Sequence, residues 1–255
     1  MSDEALQYEV RGNAAWLTIC REDRRNAISP EVIDLFVKGL DRAEADPAVR
    51  VVVITGAGDR VFCSGADLSG QGGSGQDVFA AYAGLLKRLY AFPKPTVARV
   101  NGHCLAGGTG FMLACDIVVA KQSAMFGTPE VNVGLFPMMI GALIFRNVPR
   151  KKAMEMVLLG EKLTAAQALD MGMITRVTAD DALDGEVEKI VTQLGEKSPI
   201  GTALGKQAFF AAEEMSLNEA LDYLSAKLGE VMATGDAAEG ITAFLEKRKP
   251  VFQGR

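Results

Sequence analysis

Val51-Val52-Val53-Ile54 is a β-branched run with no polar interruption, the pattern of a strand covered on both faces of a sheet. Most other apolar residues keep a period. Residues 6–10 and 14–20 alternate or run apolar about Gly12-Asn13, which predicts a β-hairpin. Val32, Ile33, Leu35, Phe36, Val37 and Leu40 hold helical spacing after Ser29-Pro30-Glu31, a cap-type serine followed by a first-turn proline and an acid. A second helix is predicted over 77–91, stopped by Phe92-Pro93-Lys94-Pro95, and a strand over 96–100 follows it. Residues 62–69 read as loop, and 70–75, with four Gly in six positions, as a mobile link. Past Val100 a glycine-rich turn opens a short apolar helix, and 117–120 is again strand-like.

Strand–helix alternation to about residue 120 predicts an α/β fold with parallel pairing. Beyond Glu130 the pattern turns helical: 149–159, a short helix after the capping-box sequence Thr164-Ala165-Ala166-Gln167, then 180–197, 199–212, 216–234 and 235–249. Residues 1–195 are expected to form the α/β core and 196–255 a C-terminal helical region. That region has little sheet to pack on, so its apolar faces are expected to dock on the core or on another subunit.

Composition narrows the partners. The 255 residues are 49% hydrophobic and 23% charged, with a net charge of -5 and no long Lys/Arg block, which excludes nucleic acid and anionic membrane as natural partners. Cys20, Cys63, Cys104 and Cys115 form no C-x-x-C pair and read as free thiols of a reducing compartment. Met1-Ser2-Asp3-Glu4 has neither the basic nor the apolar part of an export signal, and no apolar run approaches the roughly 18 residues of a membrane helix. A cytoplasmic protein is expected.

Candidate chemistry concentrates between Arg99 and Met138. Asn101-Gly102-His103-Cys104-Leu105-Ala106-Gly107-Gly108-Thr109-Gly110 leads from a strand into a helix start, and such a turn aims unpaired N–H groups at one point. It suits a phosphate or an oxygen that becomes negative during a reaction. A dinucleotide fingerprint fails, because Gly56-Ala57-Gly58 has Val61 where the third glycine belongs. His103, the single histidine, reads as a strand-end residue with a satisfied ring; Ser64 lacks a G-x-S-x-G setting, and no cluster has metal-ligand spacing. Arg24 and Arg25 read as a solvated face, with a phosphate contact as the lesser alternative. Glu130 follows Pro129 between apolar segments, and burial there would lift its pKa from about 4.3 toward that of a general base. A carboxylate capping a backbone turn is the competing reading.

Phe62-Cys63-Ser64-Gly65-Ala66-Asp67-Leu68 followed by Ala106-Gly107-Gly108 resembles the paired signature of the enoyl-CoA hydratase/isomerase (crotonase) superfamily. Arg25-Asn26-Ala27-Ile28, Cys115-Asp116, Phe126-Gly127-Thr128-Pro129-Glu130 and Glu246-Lys247-Arg248-Lys249-Pro250 agree with it, in order and over nearly the whole chain. The resemblance implies a spiral of ββα units, a helical trimerisation region, assembly as a trimer or dimer of trimers, and acyl-CoA thioester substrates without a metal or redox cofactor. It assigns the oxyanion-holding N–H groups to Ala66 and Gly107, and the acid/base to Glu130. Asp67 and Leu68 would line the pantetheine or acyl channel, with Ser64, Gly108, Pro129 and Met138 among the substrate-binding residues. Arg24, Ala27 and Lys247 of a neighbouring subunit would meet the CoA nucleotide.

One departure matters for the reaction. Hydratases of this family use two glutamates, and the first of those positions is Gly110 here, twenty residues before Glu130. A single carboxylate suits a 1,3-proton shift of an enoyl-CoA, or a hydration in which one water joins both transfers. The alternative is a non-catalytic acyl-CoA-binding member that lost hydratase chemistry with that glutamate. Phe136-Pro137-Met138-Met139-Ile140 is apolar where a second carboxylate could stand, and is expected to wall an acyl chain.

Overall fold

The computed structural model describes residues 5–67 and 75–255. Leu68 and residues 70–74 of the expected glycine-rich link lie outside them, and Gly75 already begins a helix.

Strands β1 (Leu6–Arg11) and β2 (Ala14–Ile19) form the expected antiparallel hairpin. A 3-10 turn at Glu22–Arg24 leads to helix α1 (Pro30–Ala45), whose Ser29 hydroxyl accepts from Val32 N–H at 3.3 Å as the N-cap. Three strand–strand–helix units follow. The first is β3 (Val51–Gly56), β4 (Val61–Cys63) and α2 (Gly75–Tyr90); the second is β5 (Thr96–Val100), β6 (His103–Leu105) and α3 (Gly107–Leu113). The third is β7 (Ile117–Lys121), β8 (Met125–Gly127), a 3-10 turn at Pro129–Val133 and α4 (Met138–Asn147). Next come α5 (Arg150–Leu159), β9 (Leu163–Thr164), α6 (Ala165–Asp170), β10 (Arg176–Thr178) and α7 (Leu183–Gly195). The chain closes with α8 (Pro199–Ala212), α9 (Leu217–Met232) and α10 (Gly235–Leu245).

Each unit gives its first strand to one sheet and its second to another. The larger sheet runs β1-β2-β3-β5-β7-β10 and is parallel from β2 onward; the smaller runs β4-β6-β8-β9, parallel except for β9. This is the ββα spiral that the resemblance implied. The β3 run is buried throughout because the strand serves two cores. Val52 and Ile54 join the main cluster with Phe36, Leu40, Leu85 and Leu89, while Val51 and Val53 pack with Trp16, Val97 and the α7 residues Leu183, Val187 and Ile190. Each such side chain contributes about 1.5–3 kcal/mol on burial.

Three expectations need correction. Residues 62 and 63, at the start of the stretch read as loop, belong to strand β4, because pairing with β6 fixes a segment too short to show a period. The strand ending at Val100 does not run straight into the glycine turn; β6 intervenes and changes sheet. Residues 138–147, for which no element was predicted, form α4, whose Ile140, Leu143 and Ile144 are buried.

Helices α8 to α10 pack mainly on one another. Lys206 ties α8 to the core by donating to the Lys94 carbonyl at 3.0 Å and pairing with Asp116, and Phe210 meets Tyr90 edge-on. Their outer face leaves Phe209, Leu217, Leu221, Leu228, Met232 and Phe244 exposed. Among the described residues no helix is long and apolar enough to cross a membrane.

Candidate active site

Two turns, each following a strand of the smaller sheet, face one another. In the first, Ile28 N–H donates to the Gly65 carbonyl at 2.8 Å and Asp67 N–H to the Ile28 carbonyl at 2.9 Å, with Gly65 at φ +98°. Ala66 lies between these bonds, its own N–H turned to the other side. In the second, Ala106 adopts φ 50°, ψ -127°, a conformation that strains any residue bearing a Cβ. Its N–H donates to the Gly127 carbonyl at 2.9 Å, and Gly107 then begins α3. A first helical N–H has no intrahelical acceptor. Among the described residues neither Ala66 N–H nor Gly107 N–H is bonded to protein.

The two groups adjoin. A Cβ built on Gly107 would stand 3.5 Å from Ala66 N and 3.4 Å from Gly65 Cα, and one built on Gly65 would stand 3.0 Å from Gly107 N. A notch of atomic size therefore separates two free backbone donors. At Gly108 a Cβ would overlap the Cys63 carbonyl, so only glycine lets α3 sit this close to β4.

The first turn is held by residues that sequence reasoning gave no role. Arg21 donates to the Ala27 carbonyl at 2.6 Å and to Asp67 Oδ2 at 2.8 Å, in an ion pair largely withdrawn from solvent. Asn26 is buried and left-handed (φ 54°), a conformation asparagine tolerates. Its side chain accepts from Arg21 N–H at 3.1 Å and donates to the carbonyls of Ala57 and Val61 at 3.0 and 2.7 Å. The Arg25-Asn26-Ala27-Ile28 segment is the only sequence signal for Asn26; Arg21 has none, because its carboxylate partner is 46 positions away.

Glu130 lies in the 3-10 turn after β8. Leu105 of β6 pairs with Gly127 of β8, and the Gly127 carbonyl also accepts from Thr109 Oγ1 at 3.3 Å, so this turn runs beside the start of α3. Glu130 is half-buried, and its Oε2 is buried with no partner among the described residues. Burial raises its carboxyl above the ordinary value, opposed by its own backbone N–H. Position 110 is closed. A Cβ on Gly110 would stand 2.5 Å from Ile140 Cγ2 and 2.7 Å from Tyr82 Oη.

The other nucleophile candidates fall away. His103 Nδ1 accepts from Met125 N–H at 3.2 Å, the satisfied strand residue expected. Cys63 and Cys104 are buried, and burial raises both thiols, Cys63 to about 12.

A cleft of about 620 Å³ adjoins the notch. Ser64 and Leu105, next to the two turns, form part of its wall, and Arg25, Arg60 and Lys162 line it against the acids Glu22 and Asp59. The remaining predicted residues scatter. Arg24 is exposed, 3.5 Å from Asp23; Ala27 is buried and engages Arg21 through its carbonyl. Pro129 is half-buried, whereas Met138 is 74% exposed; of that apolar segment Pro137 and Ile140 are buried. Lys247 occupies a left-handed turn (φ 55°) beyond α10, with no contact to the cleft among the described residues.

The chain matches the family model described as "Enoyl-CoA hydratase/isomerase" over residues 9–255. It is 36% identical over 244 residues to a 2,3-dehydroadipyl-CoA hydratase of Escherichia coli, covering 94% of each chain. It is 31% identical to an (E)-benzylidenesuccinyl-CoA hydratase of Thauera aromatica, covering 98% of this chain and 99% of the other. Among solved structures it superimposes on an enoyl-CoA hydratase of Mycobacterium smegmatis with a TM-score of 0.93 at 32% identity, covering 97% of this chain and 98% of that one.

Proposed function

Because this chain belongs to the enoyl-CoA hydratase/isomerase family, we propose that it is an enzyme of enoyl-CoA thioesters in which Glu130 is the single acid/base. The thioester oxygen enters the notch and accepts from Ala66 N–H and Gly107 N–H. Glu130, ionised, removes a proton from C2 of a 3-enoyl-CoA. The C–H electron pair moves toward the thioester oxygen, which the two donors hold as it gains charge. The same carboxyl then returns the proton at C4, the double bond settles between C2 and C3, and Glu130 is again ionised. Backbone donors fixed by a turn and a helix start need no reorganisation as charge develops; losing one such donor costs about 10²–10³ in rate. Arg25, Arg60 and Lys162 take the phosphates of the CoA nucleotide in the cleft, with Ser64 along the path to the notch.

The observation carrying this reading is the half-buried Glu130 carboxylate, with one oxygen unpartnered, in the turn beside two unbonded N–H groups. Hydration by the same Glu130 with one water is the second reading, favoured by the hydratase names of the relatives. Purified protein mixed with 3-hexenoyl-CoA and, separately, with crotonyl-CoA distinguishes them through the 2-enoyl thioester absorbance. A rise with the first is isomerisation; a fall with the second is hydration. Either activity should drop by about 10²–10⁴-fold in Glu130→Gln with acyl-CoA binding intact. Tight acyl-CoA binding with no turnover of either substrate would sink the catalytic reading in favour of a binding protein.

A further inference from the structure

We propose that Tyr82 is a positioning residue for the oxyanion notch, and that its phenol, standing where a side chain at position 110 would project, sets how strongly the notch holds a negative oxygen. The role rests on the notch binding a thioester oxygen, as proposed above.

Tyr82 is buried in α2, and its hydroxyl donates to the carbonyl of Gly107, the residue whose N–H forms one side of the notch. That tether reaches the weakest point of the turn. Ala106 holds a strained backbone, and strain of this kind, about 1–3 kcal/mol, persists only when the surroundings over-determine it. Gly107 follows directly, and glycine has the least intrinsic reason to keep one conformation. Before the strained residue, the Gly127 carbonyl fixes Ala106 N–H. After it, Tyr82 fixes the Gly107 carbonyl. The peptide whose N–H faces the notch lies between these two anchors.

The phenol is itself held independently of the bond it makes. Phe111 meets its ring edge-on at 5.5 Å, and Phe111 stacks on Phe36 at 4.9 Å. Burial, then the neighbouring Cys63, Cys104 and Glu130, raise the hydroxyl well above its ordinary value, so it remains a neutral donor at working pH. The same oxygen lies 2.7 Å from where a Gly110 Cβ would be. Gly110 is therefore not a vacant slot; the phenol and Ile140 close it.

Tyr82→Phe keeps the ring and removes the tether. Two ligands read the notch: acetoacetyl-CoA, which can present an enolate oxygen, and butyryl-CoA, which presents only a neutral thioester. Titration calorimetry on the full chain should show wild type preferring the first. In Tyr82→Phe, acetoacetyl-CoA binding should weaken about 10-fold and butyryl-CoA binding should stay within about twofold, with kcat falling about 10-fold at constant KM, a fraction of the 10²–10³ cost of losing a donor outright. Equal weakening of both ligands would reduce Tyr82 to a packing residue, and an unchanged preference would remove any role; both overturn the proposal. A wild type with no preference would instead overturn the oxyanion reading of the notch, and this proposal with it. A melting curve of the variant within a few degrees of wild type checks that the ring still fills its site.

Discussion

An ionised carboxylate oxygen that is buried and unpartnered is costly, and Glu130 carries one. Its folded-state pKa is raised by burial, so the folded chain holds that proton more tightly than the unfolded chain. The associated stability is fully present below the ordinary glutamate value and is lost as pH rises through the raised one. Glu130→Gln should therefore melt slightly higher than wild type at pH 7, the gain vanishing near pH 4, by thermal scans at both pH values; partial exposure keeps the effect small. The wild-type kcat/KM should fall on the acid side with an apparent pKa above the ordinary glutamate value. At Gly107 a methyl would stand 3.5 Å from Ala66 N, inside the notch, and 3.1 Å from Ile28 Cδ1. Gly107→Ala is expected to fold, with its unfolding free energy from urea denaturation lowered by no more than about 2 kcal/mol, and to lose at least about 10² in kcat. Both residues stand out in the sequence by their motifs, and it is the family resemblance that gives them their expected roles. Tyr82 could not: it is one apolar-face residue of an amphipathic helix, and its acceptor lies 25 positions later.

At the scale of elements, the long periods were readable and the short pairings were not. The β3 run, the β1–β2 hairpin and the capped helices announce themselves by local pattern. The smaller sheet does not, since its strands have only two or three residues and exist because neighbours pair with them. The join between the sheets depends on buried amides that no periodicity reveals. Asn101 donates to the Gly56 and Gly58 carbonyls at 2.8 Å each, and Asn26 bonds three backbone groups across the same region. Asn26→Ala strands two part-buried carbonyls and one N–H, and it places alanine in a left-handed conformation. A loss of about 4–5 kcal/mol is expected by urea denaturation, from about 1 kcal/mol per group and about 1–2 for the backbone. A loss under about 1 kcal/mol would show that water or a shifted loop satisfies those groups.

For the whole molecule, the exposed apolar residues of α8 to α10 far exceed what three solvated helices need. Light scattering is expected to give a trimer or a dimer of trimers, and Leu228→Glu with Phe244→Glu is expected to lower that mass toward one chain. A monomeric wild type would refute the assembly. The notch itself is set at a larger scale than its residues. Ala66 follows β4 and Gly107 follows β6, and these strands are neighbours in one parallel sheet. The spacing of the two donors thus begins with main-chain pairing, about 4.8 Å between strands, and side chains such as Arg21, Asn26 and Tyr82 hold the turns that carry them. A mutational scan should accordingly find a sharp boundary: wide tolerance at the exposed Met138, and almost none at Gly65, Gly107 and Gly108. Sequence could drift widely at such exposed positions while the paired strands kept the two donors at one spacing.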